Sequence, residues 1–207
     1  LRRACVWAVP AVGADERERA VRGVPWYLRT NANGVDLNRN FPADWETVER
    51  GYGLITDDPD AMTYRGPGPA SEPETRALVD FLRAVQLAAV FSFHCLASIC
   101  GGCFLGPKAA AGDDRFVDRW QDLAAAYGGA MGGEFTLEAG ARLGAAAGSL
   151  PAWCYRELGI PGYDIEMAGD DAALARCRCD RTDLALLRGY QARHAGGIRS
   201  ICERIGS

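Results

Sequence analysis

Short apolar runs alternate along this chain with amphipathic stretches, the pattern of an α/β sheet covered by helices. At Ser71 the run Ser-Glu-Pro-Glu sets a hydroxyl at a cap, Pro73 in a first turn and Glu74 where it closes a capping box. Leu78, Phe81, Leu82 and Val85 then recur as the buried stripe of that helix. Leu87 to Phe93 is a short apolar run with β-branched and aromatic members, which predicts a buried strand ending at His94. A second helix is predicted from Arg115 to Met131, and a third from Ser149 to Leu158, where Gly159 stops it and Ile160-Pro161 turns the chain. Gly162 to Met167 predicts another strand, with Glu166 near its C-terminal end. From Thr182 to Ile205 the periodicity is helical and is expected to break at Gly196-Gly197. The Ala/Gly-rich stretches Ala109 to Gly112 and Gly140 to Gly148 predict loops, candidate rims of an active site.

Two chemically rare residues, His94 and Glu166, therefore fall at the C-terminal ends of predicted buried strands, where open α/β sheets place their ligands. Either alone has an ordinary structural explanation, since a strand-end histidine is often satisfied within the fold and a carboxylate can pair with a nearby arginine. The segment Arg29 to Pro42 is harder to explain in that way. It crowds five amide or acid side chains and two guanidinium groups into fourteen positions. Asn33-Gly34 supplies a turn that tolerates positive φ, Val35 and Leu37 anchor the segment, and Asn38 and Arg39 project toward whatever it faces.

A chain of 207 residues with 48% hydrophobic composition can bury one sizeable core, so residues 1–207 are expected to form a single domain. The net charge of −4 and pI near 5.3 offer no basic field for nucleic-acid phosphates or anionic lipid. No run reaches the roughly 20 apolar residues of a membrane-spanning helix. Eight cysteines would suggest disulfides in a short secreted chain, but in a domain of this size they are compatible with reduced thiols, and a cytoplasmic location is expected. A structural zinc on Cys100-x-x-Cys103 with Cys177-x-Cys179 is the sharper alternative, although the second pair lacks zinc-ribbon spacing.

At the Asn-rich segment a specific resemblance appears. Asn31-Ala-Asn-Gly-Val-Asp-Leu-Asn-Arg-Asn-Phe-Pro42 is similar to the signature of the M14 zinc carboxypeptidase family, and the block from Tyr64 to Thr75 resembles the one that follows it there. Phe91-Ser-Phe-His94 resembles the strand bearing the family's last zinc histidine, and Gly159-Ile-Pro-Gly-Tyr-Asp-Ile-Glu166 the strand bearing its catalytic glutamate. The four blocks keep the family's order. The wording of the first is closest to bacterial members acting on murein peptides at γ-D-glutamyl-diaminopimelate bonds.

The resemblance implies an α/β fold with a mixed, mostly parallel sheet flanked by helices. It implies one zinc per full-length domain, with a fourth coordination position open, His94 as the last metal ligand and Glu166 as general base. Arg29 would stabilise the oxyanion, and Asn38 and Arg39 would grip a terminal carboxylate of a peptide or murein-peptide substrate.

Two departures accompany the resemblance. The family's other ligands come from an upstream His-x-x-Glu, whereas the two histidines here, His94 and His194, are followed three places on by Ala97 and Gly197. The domain is thus expected to lack its first strands and first ligand segment, and the 207 residues alone to hold zinc weakly and be inactive. Well-known carboxypeptidases also carry a mobile tyrosine before the catalytic strand, and Gly140 to Leu150 contains none, which puts exopeptidase specificity in question. Tyr155 and Tyr163 read as structural. Cys95 stands beside the ligand where many relatives carry Ser. Two alternatives to a peptidase follow: a non-catalytic peptide- or murein-binding domain, and a zinc amidohydrolase of N-acyl amino acids. The Ser71 to Glu74 block argues against the second.

Overall fold

Alternation along two neighbouring strands sorts the polar residues of this protein from its core. The computed structural model describes residues 4–23, 28–47, 50–51, 53–54, 57–94, 104–131, 141–166 and 184–206. In chain order its elements are α1 (Ala14–Val21), the two-residue strands β1 (Arg50–Gly51) and β2 (Gly53–Leu54), α2 (Pro73–Ala84), β3 (Val90–His94), β4 (Phe104–Pro107), α3 (Asp114–Met131), β5 (Ala141–Ala145), α4 (Leu150–Trp153), β6 (Gly162–Glu166) and α5 (Leu184–Gly206). The main sheet has four strands in the order β3-β6-β4-β5. β3 runs parallel to β6 and β4 parallel to β5, while β4 and β6 are antiparallel, so the sheet is mixed as expected.

On one face of the β3–β6 pair, Phe91, Tyr163 and Ile165 meet α3 and α5 in a core with Phe104, Trp120, Tyr127 and Ile201. The Phe91 and Tyr163 rings stack at 4.8 Å, and Tyr163 stacks on Trp120 at 5.2 Å. The other face is covered at its N-terminal end by α2 and α4, where Val79, Leu82, Leu150, Trp153 and Ile160 pack together with Val90. Its C-terminal end is left to polar side chains. This is the layered solution for a sheet whose two faces are both occupied.

Several local expectations hold. Ser149 caps α4, its Oγ accepting from the Ala152 N–H at 3.3 Å, and Gly159 ends the following π turn (Cys154–Leu158) at φ 62°. Others are corrected. Helix α2 starts at Pro73 with Glu72, not Ser71, in the capping position, and no side chain caps it. The Ser71 hydroxyl instead donates to Glu72 Oε1 at 2.7 Å, because that carboxylate is buried and draws every donor within reach. Within the stretch read as a loop from Gly140, Ala141–Ala145 is strand β5, paired to β4. α5 passes unbroken through Gly196-Gly197. A β-carbon at Gly197 would lie 2.7 Å from the Tyr127 ring, so the glycine is there for close helix packing and not as a breaker. Cys95, Cys100, Cys103, Cys177 and Cys179 lie outside the described residues, and the zinc reading of the cysteine pairs with them.

Candidate active site

Because β3 and β6 are parallel and in register, Ser92 pairs with Asp164 and His94 with Glu166. Side chains two apart share a face of a strand. Four polar residues thus form a square on one face at the C-terminal ends of the strands.

The square is closed by the Asn-rich segment, which folds as a turn. Asn31 Oδ1 accepts from the backbone N–H groups of Asn33 (3.1 Å) and Val35 (3.0 Å), and Val35 is buried below it. Asp36 then caps a single 3-10 turn, Leu37–Arg39, by accepting from the Asn38 N–H at 3.2 Å. Its other oxygen receives Arg29 Nε (2.9 Å) and Nη2 (2.6 Å). Arg29 is thereby held against the turn that carries Asn38 and Arg39.

The asparagines divide their work. Asn31 and Asn33 each donate to Glu72 Oε2 at 2.7 Å. Burial alone would raise the Glu72 carboxyl, but these amides and the Ser71 hydroxyl hold it below its usual range. Asn40, fully buried, donates to the carbonyls of Arg65 and Gly68 and to Ser71 Oγ, and accepts from the Glu72 N–H. These three bind the signature segment to the block before α2. Asn38 faces the sheet: its Nδ2 donates to Asp164 Oδ2 at 2.8 Å, and its Oδ1 accepts from the Leu150 N–H at 3.0 Å. Arg39 is 5% exposed, with Nη1 donating to the Asn38 carbonyl at 2.8 Å.

His94 Nε2 lies 3.0 Å from Ser92 Oγ and 3.2 Å from Asp164 Oδ1. Burial works against the imidazolium, but the charges of Asp164 and Glu166 outweigh it and raise the His94 pKa above its ordinary value. Burial likewise pushes the Glu166 carboxyl above its usual range, with Asp164 adding to the effect and His94, Arg29 and Arg39 opposing it. Burial lowers the pKa of Arg39, helped by Arg29, while Asp36, Asp164 and Glu166 pull the other way. His94, Glu166, Arg29, Asn38 and Arg39 therefore meet in one place. The expectation drawn from the sequence passed over Asp164 and Ser92, although each stands two positions before a residue it named and so shares its face. Tyr163 and Tyr155 are structural, their hydroxyls donating to the Trp120 carbonyl (2.8 Å) and to Asp113 (3.1 Å). Among the described residues, no group of three or more His, Cys, Asp and Glu is placed to hold a metal.

The family model described as zinc carboxypeptidase, Peptidase_M14, matches residues 11–183. The chain belongs to the zinc carboxypeptidase family. Murein peptide amidase A of Escherichia coli K12 is 41% identical over 104 residues, 48% of this chain and 38% of that protein. Mast cell carboxypeptidase A of Rattus norvegicus is 41% identical over 63 residues, 30% of the chain and 14% of that enzyme. The matched stretches thus span well under two thirds of these relatives. In fold, carboxypeptidase A of Helicoverpa armigera superposes with a TM-score of 0.70 at 18% identity, over 94% of the chain and 50% of that structure. Bovine thrombin-activatable fibrinolysis inhibitor, solved with a tick carboxypeptidase inhibitor, gives 0.72 at 19% identity, over 95% and 67%. The zinc carboxypeptidase fold expected from the sequence is thus the fold observed.

Proposed function

We propose that this chain supplies the general base and the substrate-facing side of a zinc peptidase site, which hydrolyses a peptide or amide bond near a free carboxylate. The shared rung of His94 and Glu166, with Arg29 and Arg39 near enough for their charges to act on Glu166, is the observation that carries this reading. Of the ligand types that zinc takes, this sheet edge supplies one imidazole, His94, and the described residues alone complete no three-ligand set. Zinc, when bound, lowers the pKa of water and polarises a scissile carbonyl.

His94 would be this chain's ligand. Glu166, raised toward neutrality by burial, takes the proton of the attacking water and returns it to the leaving nitrogen. Arg29, fixed by Asp36, faces the oxygen on which negative charge develops. Arg39, with Asn38 beside it, receives a terminal carboxylate, to which a guanidinium fork offers two parallel hydrogen bonds. The 41% identity to murein peptide amidase A favours a murein peptide as substrate.

The test uses the full-length gene product, assayed with and without chelator on murein tripeptide, on peptides with a free C-terminus and on N-acyl amino acids. Glu166→Gln should lose turnover by roughly a thousandfold or more while zinc content stays intact. Loss of zinc in that variant would move Glu166 into the metal shell. Preference for N-acyl amino acids would make the protein an amidohydrolase. Binding of carboxylate-ended peptides without hydrolysis would make it a binding domain.

A further inference from the structure

The Asn38 carboxamide is committed to the protein at both ends. Its Nδ2 donates to Asp164 Oδ2 at 2.8 Å, and its Oδ1 accepts from the Leu150 N–H at 3.0 Å. Each partner needs what Asn38 gives. Asp164 is 4% exposed, and among the described residues Asn38 is the one side chain that donates a hydrogen bond to its carboxylate, since Oδ1 accepts none. A buried carboxylate stripped of its donor costs more than a neutral group left in the same state. Leu150 opens α4, where backbone N–H groups have no partner within the helix. The Ala152 N–H there is taken by Ser149 Oγ, and that of Leu150 by Asn38. One amide thus joins the signature turn to β6 on one side and to α4 on the other.

The same geometry limits what Asn38 can offer a substrate. The second N–H of Nδ2 is what remains for an outside acceptor. A carboxylate oxygen taken there would lie roughly 5 Å from Asp164 Oδ2, because both would sit at ordinary hydrogen-bond distance from one planar NH2 group. Two anions that close in a partly buried site repel each other. The guanidinium of Arg39, next along the turn, attracts the same carboxylate and can meet both its oxygens.

We propose that Asn38 is a positioning residue, locked by Asp164 to hold the signature turn in place, and that of these two neighbours Arg39 alone contacts the terminal carboxylate of the substrate. The proposal rests on the reading of Arg39 given above. Asp164 then takes part in substrate selection without touching the substrate, through the turn that it anchors.

The test is a double-mutant cycle in the full-length protein, with Asn38→Ala, Asp164→Ala and the pair. Each protein is assayed on one peptide in two forms, with a free C-terminal carboxylate and with a C-terminal amide, and each is unfolded in urea. Asn38→Ala leaves Asp164 Oδ2 buried without a donor. It should lower the urea midpoint and cut the preference for the free acid, read as a ratio of kcat/KM, by roughly tenfold. In the Asp164→Ala background the tie is already lost. There the same change should alter the preference by less than about twofold, and the midpoint by far less than in wild type. A ratio on matched substrates cancels any effect of Asp164→Ala on the chemical step.

If Asn38→Ala costs the same preference in both backgrounds, Asn38 grips the carboxylate itself and the proposal is overturned. No loss of preference in either background overturns it too, since Asn38 would then position nothing. Where the cavity left by Asp164→Ala prevents folding, Asp164→Leu fills it with an apolar side chain of similar size and takes its place in the cycle. A wild-type protein with no preference for the acid would end the role given to Arg39, and the urea midpoints would still decide whether Asn38 answers to Asp164.

Discussion

Gly148 lies so close behind Arg39 that a β-carbon added to it would sit 2.3 Å from the Arg39 carbonyl oxygen. Its φ of 72° is in the left-handed region that glycine alone adopts without strain. Its carbonyl accepts from the Phe41 N–H and its own N–H donates to the Ala43 carbonyl, each at 2.8 Å. Two backbone hydrogen bonds and one contact thus set the signature turn against the loop before α4.

Gly148→Ala should therefore damage stability and site together. The positive φ and the backbone clash predict a loss of about 3 kcal/mol or more, read as a lowered midpoint in urea. In the full-length protein, turnover should fall further than the stability loss explains, because Arg39 and Asn38 are displaced. A midpoint within about 0.5 kcal/mol of wild type, the range of an ordinary surface change, would contradict the packing described.

What the sequence made legible was the pair of strands whose chemistry is unusual. β3 and β6 are rich in aromatic and branched residues, and each ends on a residue awkward for a core. α2, α3 and α4 were visible in their apolar spacing and stop signals. β4 and β5 were not. Phe104–Pro107 contains a glycine and a proline, and Ala141–Ala145 is mostly small residues, neither with a strand former's profile. Gly106 is required there because a β-carbon would lie 2.6 Å from Trp120, a constraint that exists only once α3 is packed on the sheet. The site was legible residue by residue but not in its division of labour. A run of asparagines reads as one polar loop, whereas Asn31, Asn33 and Asn40 tie it to Glu72 and its neighbours and Asn38 alone turns to Asp164.

Arg39→Lys separates charge from geometry. The guanidinium is buried, with one nitrogen committed to the Asn38 carbonyl, and a lysine keeps the charge without the planar fork. In the full-length protein the change should raise KM for substrates with a free terminal carboxylate by roughly tenfold, about 1.4 kcal/mol, with a smaller change for the same substrates amidated. Equal losses on the two series would mean that Arg39 serves the turn and not the substrate.

His194 predicts an acid-sensitive seam between α3 and α5. It is buried, its Nδ1 lies 2.8 Å from the Tyr127 hydroxyl, and its ring stands perpendicular to that of Phe93 with the centroids 5.5 Å apart. Burial pushes the Tyr127 phenol up, so it stays protonated and donates to a neutral imidazole. Burial, with Arg193 adjacent, lowers the His194 pKa below its ordinary value. The unfolded chain therefore binds the proton more readily than the folded one. The contribution of His194 is fully present above the unfolded value of about 6.5 and is lost as pH falls from there through the lower folded value. His94, whose pKa is raised, acts in the opposite sense: its contribution is present below the unfolded value and lost as pH rises through the folded one. The two are separated by comparison. Thermal midpoints from pH 8 to 5 should fall more steeply for wild type than for His194→Gln, which lacks the titrating ring although it loses some stability at every pH. Parallel curves would show that this histidine is as easily protonated in the fold as out of it, and that the seam has no acid switch.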